Sequence, residues 1–578
     1  MSPATATLGA SAHTDTFTRD NLPAPGLWPT FIPPTEPYPE TLNVGVELSD
    51  AMVAKGFGAR IALVGNGRSR TYKELAQWSN QLAHALVNNY GVKPGNRVLI
   101  RSANNPAMVA CWLAVTKVGA VAVNTMPMLR ALELQQVVDK AQVSLALCDG
   151  RLLDDLKPCI RAGSIELQQV VDKAQVSLAL CDGRLLDDLK PCIRAGSSLL
   201  AIVTFDGTAE QTQELDRAAL QHPVVFSAVA TSKDDVALLG FTSGTTGQPK
   251  ATMHFHRDLL MACDGYAKEV LQVVPTDVFV GSPPLAFTFG LGGLALFPLR
   301  FGACSVLLEN ASPPNLIEII QQYKATVCLT APTAYRAMLG AMDAGADVSS
   351  LRVAISAGET LAAPIYDEWL AKTGKPMLDG IGSTEMLHIF ISNRLDDSRA
   401  ASTGRPVTGY EAKVIDEQGR EVATGEPGAL AVRGLTGCRY LNDERQQMYV
   451  RDGWNITGDT FYQDAQGCFH FVARNDDMIV SGGYNIAGPE VEAALMSHEA
   501  VAECAVVAQV DEARGHVVRA HVVLRPQWES SAETVQQLQD HVKAIIAPYK
   551  YPRVVVFTDS LPKTATGKIQ RFMLRQTV

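Results

Sequence analysis

The densest run of chemically capable residues is FTSGTTGQPK, from Phe241 to Lys250. Thr242, Ser243, Thr245 and Thr246 offer hydroxyls, Gly244 and Gly247 let backbone approach an anion closely, and Lys250 adds an ammonium. Successive N–H groups, hydroxyls and one cation suit a phosphate ligand. The run is not a Walker A loop, in which four residues separate the glycines and Gly-Lys-Ser/Thr closes the motif. Here Gly244 and Gly247 are three apart and Pro249 precedes the lysine. Taken alone, the same composition also makes an ordinary polar turn.

A phosphate loop needs regular elements to hold it. The apolar run ending at Phe241 reads as a strand, Val236–Phe241, that feeds the loop. Upstream, strands at Ile61–Val64, Arg97–Ile100 and Ala120–Val123 alternate with helical patterns at Tyr72–Asn89 and Pro106–Lys117. That alternation predicts βαβ units in a parallel sheet. A second α/β stretch runs from about 236 to 382, with further strands at Ser305–Leu308, Thr326–Leu329 and Val353–Ser356. From 403 to 473 the segments shorten and glycine becomes frequent, as in a small β-barrel or antiparallel sheet. The last hundred residues predict a small α+β domain, with glycines and aspartates at the join, 474–483.

Composition narrows the functional classes. The chain has 578 residues, 47% hydrophobic and 19% charged, which fits a folded enzyme of several units and excludes a disordered or coiled-coil chain. Fifty Lys+Arg stand against sixty Asp+Glu with no long basic run, which argues against nucleic acid as a partner. The N-terminus lacks a basic start and an apolar core, so it does not read as a secretory signal. The apolar stretch 106–128 contains Lys117 and reads as helix, Gly119 and strand, while 291–309 is broken by Arg300. Neither predicts a membrane span. Cysteines are sparse and no CxxC pair occurs, as in a cytoplasmic enzyme with reduced thiols.

One oddity stands apart from the chemistry. Residues 133–164 recur without a change at 166–197. Two copies are too few for a solenoid, and full identity points to a recent in-frame duplication or an assembly error rather than an old functional repeat. Each copy reads as helix (Glu133–Ala141), strand (Val143–Cys148), turn (Asp149–Gly150) and helix (Leu152–Ile160). A sheet offers one slot for such a unit, so one copy is expected to be native and the other to leave the fold at a loop, near Gly150–Arg151 or Gly163–Ser164. The surplus QVSLALCD strand is then an aggregation liability.

The Phe241–Lys250 run resembles the signature of the adenylate-forming superfamily of acyl- and aryl-CoA ligases, luciferases and peptide-synthetase adenylation domains. Four later segments carry the same resemblance in order: DGIGSTEM with Thr384 and Glu385; WNITGDTF with Gly458 and Asp459; ARNDDMIVSGGYNIAGPEVE with Arg474, Asp476, Asp477, Ser481, Gly482, Glu490 and Glu492; and LPKTATGKIQR with Lys568. Together they cover about 240 to the end. The resemblance implies an α/β fold. Residues 1–473 would form a large AMP-binding domain of two doubly wound α/β subdomains plus a small β-barrel-like part. Residues 474–578 would form a small mobile α+β domain.

It also implies roles. Lys568, Glu385, Thr384 and Lys250 would be catalytic. ATP would lie against Thr242, Ser243, Gly244, Thr245, Thr246, Gly247, Lys250, Gly358, Glu359, Asp379, Gly380, Ile381, Gly382, Ser383, Thr384, Asp459, Arg474 and Lys568. Glu385 and Thr245 would hold Mg²⁺, a hard ion that takes carboxylate and phosphate oxygens. Asp459 would accept bonds from the ribose hydroxyls, and Lys568 would bridge the substrate carboxylate and α-phosphate. The C-terminal domain would swing about Asp476 to bring Ser481, Gly482, Gly483 and Tyr484 to coenzyme A. Ala473 and Val480 depart from the pattern, standing where many relatives carry Gly and Lys.

The acyl pocket implied by the resemblance lies between 283–290 and the strands leading to Thr384. It offers Phe287, Gly290, His388 and Ile389, with Phe287 where many relatives carry His. An apolar slot with one polar group suits a flat aromatic acid. HTDTFTRDNLPAPGLWPTF and VSGGYNIAGPEVE look most like 2-aminobenzoate–CoA ligases. His388 then meets an ortho amino group or simply packs, and Phe287 and Phe289 line the pocket or belong to the core. Benzoate is the alternative acid, and a stand-alone adenylation enzyme loading a carrier-protein thiol is the alternative activity. The expected partners are a small aromatic carboxylic acid, ATP and coenzyme A, with the chain a monomer or homodimer and no membrane or nucleic acid.

Overall fold

The computed structural model describes residues 8–127, 129, 131–152, 202–205, 213–242, 249–358, 361, 363–474, 478–562 and 571–575. Two compact units divide the chain. One comprises Met1–Pro127, Val138–Phe241 and Ala251–Ala473; the other comprises Met128–Val137, Thr242–Lys250 and Arg474–Val578.

Two sheets organise the first unit. A six-stranded sheet runs in the order Ile202–Phe205, Leu145–Asp149, Arg97–Arg101, Val121–Thr125, Val236–Thr242 and Lys250–Phe255. Its first five strands are parallel. A nine-stranded sheet runs Arg405–Pro406, Ile389–Ser392, Met377–Gly382, Val353–Ser356, Val327–Thr330, Val278–Gly281, Cys304–Val306, Ile61–Gly65 and Arg68–Thr71. Its centre is parallel and its outermost pairings are antiparallel. Strands of the central sheets are buried along their length, so they read as continuous apolar runs rather than alternations.

The elements arise where local chemistry sets them. Thr71 accepts from the Glu74 N–H while the Glu74 carboxylate accepts from the Thr71 N–H, a capping box that starts the helix Tyr72–Asn88. Asn105 accepts from the Met108 N–H and Pro106 takes the first helical position of Pro106–Lys117. That helix is buried on every side, which explains its apolar composition up to Thr116. Lys117 is tolerated there because its ammonium meets Asp50 at 2.6 Å, Asn80 at 2.7 Å and Ser79 at 2.8 Å. Among the described residues no helix is long and apolar enough to cross a membrane.

One expectation needs correction. The strand at Ile61 does not share a sheet with Arg97–Arg101 and Val121–Thr125; it pairs with Cys304–Val306 in the nine-stranded sheet. The strand at Val236 crosses the other way and pairs with Val121–Thr125. The reason is the turn at Asn66–Gly67, where both residues have positive φ. That two-residue turn folds Ile61–Gly65 onto Arg68–Thr71 as a hairpin, so no crossover helix follows the strand and no βαβ unit begins there.

The repeat is partly described. The helix Ala131–Ala141 and the strand Leu145–Asp149 belong to the first copy, whose strand lies between Arg97–Arg101 and Ile202–Phe205. The first copy thus fills the sheet slot. A 3-10 turn, Gly150–Leu152, follows it. Residues 153–160 of the expected helix and the whole second copy lie outside the described residues.

The glycine-rich stretch forms an antiparallel sheet of Tyr410–Ile415, Gly428–Gly434, Trp454–Gln463, Val450–Arg451 and Phe469–Arg474. In the second unit, a sheet of Tyr484–Ala487, Met478–Ser481, Gly515–Leu524, Val501–Asp511 and Val554–Phe557 packs with the helices Gly488–Met496 and Ala532–Ile545. Ile479, Val491, Leu495, Val506, Val518, Leu538 and Val542 make its core. That is the α+β domain the sequence predicts.

Candidate active site

The phosphate-loop run is flanked by the strands Val236–Thr242 and Lys250–Phe255. Ser243, Gly244, Thr245, Thr246 and Gly247 lie outside the described residues, as do Glu359, Asp476 and Lys568. Thr242 ends the entering strand with its hydroxyl buried and unbonded, and Lys250 opens the leaving strand half-buried. Gly358 follows the strand Val353–Ser356 with φ +90°, and Asp379, Gly380, Ile381 and Gly382 end the strand Met377–Gly382. These positions sit at the carboxyl ends of parallel strands, where open α/β sheets place their ligands.

The turn after Gly382 carries the next candidates. Ser383 Oγ accepts from the Met386 N–H at 3.2 Å, and the Thr384 carbonyl accepts from the Leu387 N–H at 3.1 Å. Leu387, at φ +71°, holds a left-handed conformation that a leucine adopts only where packing imposes it. Thr384 is fixed from two strands. A Cβ on Gly240 would come within 2.7 Å of the Thr384 methyl, so Thr384 rests directly on the backbone of the strand that feeds the phosphate loop. His254, on the leaving strand, lies with Nε2 2.8 Å from the Thr384 carbonyl. A carbonyl only accepts, so Nε2 carries the proton and donates. Burial pushes the His254 pKa down to about 4, which keeps the ring neutral.

Glu385 is buried, and the Tyr440 hydroxyl donates to its Oε1 at 2.6 Å. Tyr440 belongs to a strap, 438–441, stitched to Lys250–Phe255. The Met253 N–H donates to the Arg439 carbonyl at 2.7 Å and the Leu441 N–H to the Ala251 carbonyl at 2.8 Å. Arg439 next to it is wholly buried, paired with Asp258, and lies 4.0 Å from the Phe255 ring centre. Among the described residues no group of three metal-ligating side chains occurs. A single buried carboxylate beside a hydroxyl fits Mg²⁺, which takes few protein oxygens and completes its shell from phosphates and water.

Asp379 is buried with Oδ1 unbonded, and burial raises its pKa to about 7. Asp459 lies buried in the strand Trp454–Gln463, after Gly458 at φ +81°. Arg474 ends the strand Phe469–Arg474.

Three aromatic rings surround His388. Its ring centre is 4.5 Å from Phe297, 5.5 Å from Phe289 and 5.5 Å from Tyr266. Nε2 donates to the Phe289 carbonyl at 3.3 Å, burial pushes the pKa down to about 3, and Nδ1 is buried without a partner. A Cβ on Gly292 would lie 2.3 Å from His388 Cδ2, so only glycine admits the ring. Gly290 approaches the Pro284 carbonyl within 2.1 Å of where a Cβ would stand. Phe287 sits just ahead of the helix Thr288–Leu291, and Asn104 pins the preceding loop through Pro283 and Leu285. Ile389 pairs with Gly382 across the antiparallel edge.

In the second unit, Gly482 and Gly483 make the positive-φ turn of the hairpin Met478–Ser481 and Tyr484–Ala487. Tyr484 stacks on Tyr549 with ring centres 4.2 Å apart, and Ser481 Oγ is buried and unbonded. Glu490 pairs with Lys550 at 2.7 Å, and Glu492 accepts two bonds from Arg571 at 2.9 and 3.0 Å. Gly240, His254, Gly292, Arg439 and Tyr440 were not singled out by sequence. Each acts through a partner far along the chain.

Two buried α/β sheets carry the motif residues at their carboxyl ends, and a buried carboxylate lies beside the strands Val236–Thr242 and Lys250–Phe255. The chain belongs to the AMP-binding enzyme family, whose model matches residues 51–439, with the AMP-binding enzyme C-terminal domain matching residues 490–568. It is thereby an AMP-forming synthetase of the acyl- and aryl-CoA type. It is 33% identical to the benzoate–CoA ligase of Thauera aromatica, over 94% of this chain and 97% of that protein. It is 31% identical to the 3-hydroxybenzoate–CoA ligase of Aromatoleum sp. (strain CIB), over 93% and 97%. Among solved structures, the anthranilate CoA ligase AuaEII in complex with anthranoyl-AMP matches at TM-score 0.66 and 31% identity, covering 93% of this chain and 98% of that one.

Proposed function

We propose that the chain joins 2-aminobenzoate to coenzyme A at the expense of ATP. In the first step a carboxylate oxygen attacks the α-phosphorus, the bond to pyrophosphate breaks, and the aryl-adenylate forms. In the second the coenzyme A sulfur attacks the carbonyl carbon, AMP leaves, and the thiol proton is released. Lys250 and the loop 242–247 would cradle the leaving pyrophosphate, and Thr384 would bond the α-phosphate. Lys568 would hold the acid carboxylate against it, and Asp459 and Arg474 the ribose. Mg²⁺, held by Glu385 with Thr245, would neutralise phosphate charge. Arg474–Val578 would act as a mobile domain turning about Asp476, presenting Lys568 in the first step and the Ser481–Tyr484 hairpin in the second.

The observation that carries the choice of acid is His388. A neutral ring in a box of Tyr266, Phe289 and Phe297 leaves one bare acceptor nitrogen, Nδ1. An ortho amino group supplies the missing donor, and benzoate does not. Leaving a buried acceptor unpaired costs about 1–3 kcal/mol, a factor of roughly 10 or more in kcat/KM. Thioester formation with 2-aminobenzoate should therefore exceed that with benzoate by about tenfold. Equal values would favour a benzoate ligase. Pyrophosphate release with either acid, without coenzyme A-dependent AMP release, would favour carrier loading.

A further inference from the structure

We propose that Tyr440 is the positioning residue for the metal-binding carboxylate: its hydroxyl fixes Oε1 of Glu385 so that Oε2 is presented to the divalent cation of the nucleotide. The inference rests on the reading of Glu385 as the metal carboxylate. Three observations carry it. The Tyr440 hydroxyl donates to a carboxylate at 2.6 Å, the length of a charge-assisted bond, and both side chains are buried. Tyr440 itself has little freedom. Its N–H donates to Gln446 Oε1 at 2.8 Å, and the Gln446 amide donates to the carbonyls of Leu27 at 2.8 Å and Cys438 at 3.1 Å. Its ring meets Tyr449 edge-on at 5.7 Å. Finally, the main-chain bonds of 439 and 441 to Met253 and Ala251 tie the phenol to the strand that leaves the phosphate loop.

Adjacent residues of an extended strap point opposite ways. Arg439 is thus anchored in the Asp258 pair and its aromatic surround while Tyr440 reaches Glu385. A carboxylate held through one oxygen loses the rotational freedom that would let it chelate poorly. Partners that orient ligating carboxylates are typically worth about 10–100-fold in metal affinity.

The test is the binding of Mn²⁺ to the full-length enzyme with a non-hydrolysable ATP analogue, read by electron paramagnetic resonance, with a thermal melt on the same samples. Tyr440→Phe, which deletes one oxygen, should weaken Mn²⁺ about tenfold or more while the melt confirms folding. Glu385→Gln should weaken it at least as much. Glu385→Gln/Tyr440→Phe should bind no more weakly than Glu385→Gln alone, because the phenol then has no carboxylate to orient. Unchanged Mn²⁺ binding in Tyr440→Phe, or a further loss in the double variant, overturns the proposal. The double variant buries no stranded carboxylate, so a further loss there still overturns the proposal where the single Phe variant does not fold. Unchanged Mn²⁺ affinity in Glu385→Gln would instead remove Glu385 from the metal.

Discussion

Glu385 and His388 stand three residues apart on one turn, both buried, and their polar atoms are satisfied in opposite ways. Glu385 receives a hydroxyl from Tyr440, on a strap anchored by main-chain bonds and a buried ion pair. His388 spends one nitrogen on the Phe289 carbonyl and leaves the other bare among aromatic rings. A buried charge is costly unless paired, so the carboxylate needs its partner before any substrate arrives. A buried neutral acceptor costs less, and the fold can carry it until a substrate donor completes it. On the proposed reading, the nucleotide side of the turn is preorganised by protein alone, and the acyl side is left open for selection.

The comparison predicts how each side fails. Glu385→Gln should lower kcat/KM for acid-dependent pyrophosphate exchange by about 10²–10³, the usual cost of losing one electrostatic contact to the reacting phosphate. The loss should be the same for 2-aminobenzoate and benzoate. An acid-dependent loss would mean that Glu385 also serves the acyl pocket. Gly292→Ala acts on the other side: its methyl would overlap the His388 ring at 2.3 Å, and overpacking of a filled core costs about 1–3 kcal/mol. Denaturant titration should show that loss, together with a changed acid preference. A preference that stays fixed would place His388 away from the acid.

His388→Leu separates packing from the bare nitrogen. Any packing damage reaches both acids alike, while the lost acceptor matters only to the amino acid. The ratio of kcat/KM for 2-aminobenzoate over benzoate should fall about tenfold, as measured by thioester formation. A constant ratio would make His388 a packing residue.

The two sides also differ in how far sequence reaches them. Thr384 and Glu385 announce themselves in the local run DGIGSTEM. Their partners do not, because Tyr440 lies 55 positions from Glu385 and His254 lies 130 from Thr384. Gly292 reads as one glycine in an apolar helix, and its role depends on a ring brought to it by the nine-stranded sheet. Helices were legible from their apolar period, as at Tyr72–Asn88, which buries one face, and strands from their apolar runs. The exchange of Ile61–Gly65 and Val236–Thr242 between the sheets was not. The Asn66–Gly67 turn that folds the first strand into a hairpin stands in the sequence, but only the strand–helix alternation around it was read.

The smallest effect is also the most direct check that His388 is neutral in the native enzyme. Its pKa is pushed from 6.5 to about 3 by burial, against a weaker upward pull from the Phe289 carbonyl. Between those values the unfolded ring holds a proton that the native ring lacks, so stability rises with pH through this window and is lost as pH falls. His254 and His256, at about 4 and about 3, act in the same sense. Asp379, raised to about 7 from 3.8, acts oppositely: its native carboxyl keeps a proton that the unfolded chain releases, and that contribution is lost as pH rises. Glu214, which burial raises from 4.5 to about 7, acts as Asp379 does; three histidines stand against two carboxyls, so their sum gives an unfolding free energy that climbs from pH 4.5 to 6. Removing one titrating ring lowers the slope by at most one proton, about 1.4 kcal/mol per pH unit near pH 5. Urea titrations of His388→Leu across that range should show the shallower slope, whereas Gly292→Ala, which keeps the ring, should lose stability with the parent slope. An unchanged slope in His388→Leu would mean that the native ring is charged and Nδ1 a donor. The acyl side would then select an acid bearing an acceptor.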